Sequence, residues 1–475
     1  MATKPKVRTL TNSSADVLNA IRNSASINYR NYVPVVTPDA DSIREIGAII
    51  MDMPALQNEF LSALVNRIGK VIITSKSYSN PWAMFKKGFL DFGETVEEVF
   101  VAMARPFQYD PAVAENELFK REIPDVQSAF HVMNFQKFYK TTTEEQDLRL
   151  AFLSEDGVYN LVAKITEQLY TAMENDEFLV MKYMLARNLS RGQISVQTIN
   201  TSNIDDATVA MRKASNDLLF MSDEYNLAGV TTHTLRDDQY IIINTAFDAT
   251  QSVKNLARAF NMSEAELLGH IVLVDGFGKL NVKRLAELFK GDPNYYEYST
   301  EELEALNEIP AVLVDRDYFV IYDKLQQFRD LENVQGLYWN HYLHVWKLFS
   351  VSPFANAIAF IPNTPTVTGV TVSPATATVS AGQVLTLTAK VATTNFAPQA
   401  VTWTSDNPLV TVSASGVVKV DPTASGTANI TATSKFDTTK SGACVITLLR
   451  LTQLQAARRT SQQPLSSTPQ RAALV

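Results

Sequence analysis

A chain of 475 residues is long enough for two or three domains with separate cores. Its 46% hydrophobic and 19% charged residues are those of an ordinary globular protein, which excludes a wholly disordered or membrane-embedded chain. A formal net charge of -8 and a single cysteine, Cys444, exclude a general phosphate-neutralising surface and a disulfide-stapled secreted domain.

The N-terminus carries Lys4, Lys6 and Arg8 without the apolar run of a signal peptide, and no later stretch suits a bilayer. Folding inside a cell and no membrane partner are expected. Ser13 with Asp16 opens a short helix carrying Val17, Leu18 and Ile21, within an arm over residues 1–50. Val71 to Ile73 and Val96 to Val101 are strand-like and flank the run from Trp82 to Glu94, which predicts a long extended hairpin over 70–105. Its tip would carry Trp82, Phe85, Lys86, Lys87, Phe89 and Phe92. That is more apolar surface than a monomer leaves in water, so these residues are expected to pack on another subunit.

From Val158 to Asn188 apolar residues recur at steps of three and four without a proline. This predicts one amphipathic helix of roughly 45 Å, a spine for a flat subunit. Between 200 and 310 the helical stretches Asp205 to Met221 and Gln251 to Phe260 alternate with strands at Tyr240 to Ile243 and His270 to Asp275, a compact α/β subdomain. The runs Ala311 to Tyr322 and Gly336 to Ile361 are then expected to return to the sheet beside the spine helix. Two prolines in Pro362-Asn363-Thr364-Pro365 mark a stiff linker that ends the body at residue 362.

Residues 366–449 alternate as short strands do in a β-sandwich: Val370-Thr-Val-Ser-Pro, Leu385 to Val391, Val401-Thr-Trp403, Val418 and Val420, and Gly426 to Ala432. Trp403 is expected in its core, and residues 450–475 are read as a polar, disordered tail. The fold class is therefore α+β followed by an all-β module.

The chemistry-bearing residues are few. His341 and His344 are three apart with no third ligand nearby and extended surroundings, so no metal site is expected. Gly276-Phe277-Gly278 lacks the third glycine of a dinucleotide fingerprint and reads as a turn. Asp315 and Asp317 flank Arg316 at a strand end, where an ion pair or a solvated turn outweighs paired-carboxylate catalysis. No catalytic residue, cofactor or metal is assigned.

Several runs resemble the major capsid proteins of phi29-like tailed phages. They are Asn19 to Ser24 with Tyr32-Val33-Pro34; Asn80-Pro81 with Phe85-Lys86-Lys87-Gly88; Ala257 to Met262 through Val274-Asp275-Gly276-Phe277; Val312 to Asp315; and Gly336 to Asn340 through Phe354 to Ala357. They fall in the same order over nearly the entire body. The module resembles the bacterial immunoglobulin-like group 2 family, in its V-x-V-x-P opening, its Trp403-Thr-Ser-Asp-Asn407 segment and its G-T-A-x-I-T-A run. The resemblance implies a Hong Kong 97-type capsid fold with N-arm, extended loop, peripheral domain with spine helix, and axial domain. It implies self-assembly into hexamers and pentamers of an icosahedral or prolate shell around double-stranded DNA, with assembly in the host cytoplasm. The implied partners are other copies of the chain, a scaffolding protein, the portal (connector) protein and, by weak contact, the encapsidated DNA. The module would sit outside, binding a host-surface glycan or clamping neighbours. Two departures from the family's pattern are Lys279 to Pro310, read as an insertion, and the arginine-bearing tail. Some capsids of this fold cross-link a loop lysine; for Lys86 and Lys87 non-covalent contact is expected instead. On the module alone, a surface adhesin or carbohydrate-binding protein is the alternative, and it would need an export signal.

Overall fold

The structure is a computed structural model that describes residues 14–60, 63, 78–90, 95–107, 121–153, 157–249 and 270–449. The chain divides into two compact units. The first comprises Met1–Met184, Leu280–Glu297 and Arg316–Phe354, and the second Leu185–Lys279, Tyr298–Asp315 and Ala355–Val475.

The first unit opens with helices Ser14–Ser24, Ile27–Tyr32 and Ala40–Asp52. Ser26 and Asp39 cap the second and third by accepting from the Tyr29 and Ser42 N–H groups, which would otherwise lack partners. Leu18, Ile21, Ile43, Ile46 and Ile50 recur at helical spacing and form a core with Tyr29, Phe60 and Phe152. Gly47 lets that core close, since a Cβ there would lie 2.5 Å from the Phe152 side chain.

The spine helix runs from Gly157 to Ser190, close to the expected bounds and about 51 Å long at 1.5 Å per residue. In the first unit a four-stranded sheet has the order Gly88–Phe89, Phe319–Asn333, Tyr338–Val351, Phe135–Glu144. Its centre is a long antiparallel hairpin, and Gly88–Phe89 joins parallel to Tyr322 and Asp323.

The second unit holds a five-stranded mixed sheet in the order Ser195–Thr198, Ala357–Ile361, Ala311–Asp315, Gln239–Asn244, Ile271–Val274. Its central strands are almost continuously apolar because both faces are buried. Ile241, Ile243, Leu313, Ile358 and Phe360 pack there against Met211 and Ala214 of the helix Ile204–Asp217. The same unit contains the sandwich. Thr376–Ser380, Ser441–Leu449, Gly426–Ser434 and Val401–Ser405 form one sheet, Val384–Thr386, Val417–Val420 and Val410–Val412 another, and Thr366–Ser373 pairs with Thr388–Thr394. Cys444, Ile430, Ile446 and Leu387 are fully enclosed in its core.

Several expectations are corrected. Thr95–Val101 pairs antiparallel with Val126–Val132, a partner not expected from the sequence, while the other arm of the expected hairpin, Val71 to Ile73, lies outside the described residues. So do Gln251 to Phe260, Ser13 and the tail from 450. The runs Ala311 to Tyr322 and Gly336 to Ile361 each break in two. A turn after Asp315 and another after Val351 send Ala311–Asp315 and Ala357–Ile361 into the five-stranded sheet rather than the sheet of the first unit. Within the stretch read as axial at 200–310, Leu280–Glu297 groups with the first unit.

Candidate interaction surfaces

The six residues expected at an exposed tip have separate fates. The chain from Asn80 to Leu90 turns through a short 3-10 helix at Ala83–Phe85, and Trp82 and Phe85 are buried in the subunit's own core. Trp82 meets Phe178 edge-on at 5.4 Å between ring centroids, and Phe85 meets Phe319 at 5.0 Å. These partners leave neither ring free for another subunit, which corrects the expectation for both. Phe89 is 56% exposed. Phe92 lies outside the described residues.

Lys86 is committed to the interior. Its Nζ lies 3.1 Å from Glu177 Oε2 and 2.7 Å from Asp323 Oδ2. Lys347 pairs with the same two carboxylates, closely with Glu177 and at 2.9 Å from Asp323 Oδ1. Asn80 completes the group: its Nδ2 donates to Glu177 Oε1 at 2.6 Å, and its Oδ1 accepts from the Trp82 N–H at 2.8 Å. Two ammonium groups and two carboxylates are thus balanced where Glu177 and Lys347 are almost wholly buried. Burial by itself works against the charge of Lys86, but the carboxylates of Glu177 and Asp323 outweigh it and raise its pKa. Burial likewise pushes the Asp323 carboxyl up, and Lys347 and Lys86 together overcome it and hold the pKa below the usual range. Lys87 pairs with Asp317. Both lysines are therefore engaged with carboxylates of their own chain.

The ribbon of Thr95–Val101 and Val126–Val132 has two unlike faces. On one, His131 is buried, with Nδ1 2.7 Å from Ser350 Oγ and Nε2 3.1 Å from Glu98 Oε2, and Phe100 stacks on Phe354 at 5.8 Å. Directly paired residues share a face, so the opposite face carries Val99, Val101, Val126, Phe130 and Val132 together with Glu97. Those five apolar residues are each at least half exposed. Thr95, Glu97 and Ser128 lie among them on this face, and five large apolar side chains left this exposed on one face are a candidate protein-binding surface.

The remaining candidates are structural. His341 and His344 sit on the strand Tyr338–Val351, where a spacing of three points them to opposite faces. His341 is buried with Nε2 3.1 Å from Thr143 Oγ1, and burial lowers its pKa. Among the described residues no group of three or more His, Cys, Asp or Glu could hold a metal. Asp315 accepts from Thr234 Oγ1 at 2.6 Å. Trp403 is half-buried and packs against the sandwich core, close to Gly416.

The Gly276 to Gly278 turn packs on the helix Thr300–Asn307, whose start is fixed by a reciprocal capping box of Ser299 and Glu302. The Gly278 N–H donates to Asn307 Oδ1 at 3.0 Å, and a Cβ on Gly278 would fall 1.9 Å from the Leu303 carbonyl oxygen. Gly278→Ala is therefore expected to lower stability in urea unfolding by about 1–3 kcal/mol, because backbone rather than a flexible side chain must move. A variant as stable as the parent would show that the turn tolerates the shift.

Comparison with known proteins follows the same division. Residues 18–361 match the family described as Phi29-like phage major capsid protein, and residues 366–445 match the bacterial Ig-like domain (group 2). The chain is 36% identical to the major capsid protein of Bacillus phage B103 over 418 residues, covering 86% of this chain and 87% of that protein. It is 35% identical to the major capsid protein of Bacillus phage PZA, covering 82% of each. Among solved structures, a chain in the capsid of Staphylococcus phage Andhra aligns with a TM-score of 0.49 at 15% identity, over 62% of this chain and 86% of that one.

Proposed function

This chain belongs to the Phi29-like phage major capsid proteins, and from that premise we propose that its ribbon joins neighbouring subunits in the shell. The protein is a capsid component of the virion of a small tailed phage, with the α+β capsid fold implied by the resemblance and a C-terminal Ig-like domain. An adhesin is not favoured, because the matched family spans the body and not the module alone.

One observation carries the proposal: the outward face with Val99, Val101, Val126, Phe130 and Val132. Each is about half exposed, so covering the rest is worth about 1 kcal/mol, roughly half the value for burying a fully exposed side chain, and a neighbour laid along the face gains from several at once. Repeated in every copy, such contacts close into hexamers and pentamers. Phe89, also exposed, is a second apolar contact point in this reading. In this reading the body is 1–362 and the sandwich 366–449, with the sandwich outside, clamping neighbours or binding a host glycan. A scaffolding protein and the portal guide assembly in the host cytoplasm, DNA touches the shell weakly, and no catalysis is involved.

Val99→Asp with Phe130→Asp, expressed with the scaffolding protein, is expected to give a folded subunit that forms no shells by electron microscopy. Shells at the parent's yield would overturn the proposal.

A further inference from the structure

The spine helix ends in a Schellman motif: the Gly192 N–H donates to the Leu189 carbonyl and the Gln193 N–H to that of Asn188, both at 2.9 Å. Gly192 has φ +59, as the left-handed stop requires. The space above it is filled by the sandwich. A Cβ on Gly192 would lie 2.5 Å from the Ala397 carbonyl oxygen, 2.9 Å from the Gln399 nitrogen and 3.0 Å from Pro398 Cα. Gln399 also reaches back, its N–H toward the Gly192 carbonyl and its Nε2 toward that of Ser190, both at 3.4 Å.

The segment that makes this approach is unusual. Asn395 and Phe396 both have left-handed φ, 52 and 59, although neither is glycine, and Ala397 is locked in the sandwich core. Asn395 Nδ2 donates to the Thr364 carbonyl at 2.8 Å, and Asn363 Nδ2 donates to Glu308 Oε2 at 3.0 Å, so the linker is held from both ends.

We propose that the loop from Asn395 to Gln399 is a clasp that docks the sandwich on the C-terminal end of the spine helix, with Gly192 as its receptor. The module is then a fixed part of the subunit rather than a bead on a tether. The sandwich and the five-stranded sheet of the second unit then move together. This does not depend on the ribbon reading, and its test needs no assembly.

Gly192→Asn separates the clasp from the helix stop, because asparagine tolerates the left-handed conformation while its Cβ obstructs Ala397. In the full chain, proteinase K is expected to cut the linker at the exposed Asn363 and Thr364 about tenfold faster than in the parent, with body and sandwich fragments both persisting. Gln399→Ala with Asn395→Gly leaves the helix untouched and should do the same, which decides the matter if Gly192→Asn does not fold. An unchanged cutting rate, or faster cutting spread over the whole chain, would overturn the proposal.

Discussion

Glu177→Gln is expected to destabilise the subunit by about 3–5 kcal/mol in urea or thermal unfolding. The residue is 2% exposed and faces both Lys86 and Lys347, so the change leaves two ammonium groups sharing Asp323, one of them, Lys347, almost wholly buried. Against a total stability of about 5–15 kcal/mol, this is a large fraction. Glu177→Gln with Lys347→Met restores the balance, since Lys86 and Asp323 remain paired at 2.7 Å. The double variant should therefore lose less than the sum of its two parents, by more than about 1 kcal/mol. Strictly additive losses would show that the four charges act independently.

The same group sets an acid limit. Asp323 has its folded pKa depressed, so its contribution is fully present above the ordinary carboxylate value of about 3.9 and is lost as pH falls through the lower folded value. Lys347→Met removes one of the two cations that hold the folded value down. The variant starts from a lower stability at neutral pH, and its stability should fall less steeply than the parent's as pH drops below about 4, because less proton-linked stability remains to be lost.

How far these features could be read from sequence depended on whether they were local. The spine helix was legible because Leu169, Met173, Val180 and the other buried positions repeat within one continuous segment. The sandwich was legible for the same reason, with each short strand alternating by itself. Trp82 and Phe85 were misplaced because their burial rests on Phe178 and Phe319, which come from other elements far along the chain. The partner strand Val126–Val132 was missed because both ribbon faces mix apolar and polar residues, leaving no clean two-residue period. The ion group assembles from four separate segments, so no local pattern contains it. A signal did exist: Lys347 interrupts the apolar run Val345-Trp346-Lys347-Leu348-Phe349, and Asp176-Glu177 interrupts the apolar stripe of the helix. A charge in such a place demands an opposite charge from elsewhere.

The stretch from Lys279 to Pro310 supplies one such partner. Asp176 is completely buried and receives Arg284 Nε at 2.9 Å and Nη2 at 2.8 Å, a two-point pairing, and the Tyr139 hydroxyl at 2.9 Å. Burial, then the Asp176 charge, pushes the Tyr139 pKa up, so the phenol stays protonated as a donor. Arg284 lies on the helix Val282–Leu288, so this stretch is tied to the spine helix. Arg284→Met should leave Asp176 with the Tyr139 hydroxyl alone. Because the guanidinium is about a third exposed, the expected loss is about 2–3 kcal/mol rather than the value for a fully buried pair. Asp176→Asn with Arg284→Met removes the uncompensated charge and should recover part of that loss in the same unfolding assay. A single variant as stable as the parent would mean that the pairing adds nothing to stability and that the helix is held by Leu285 and Leu288, both buried, instead.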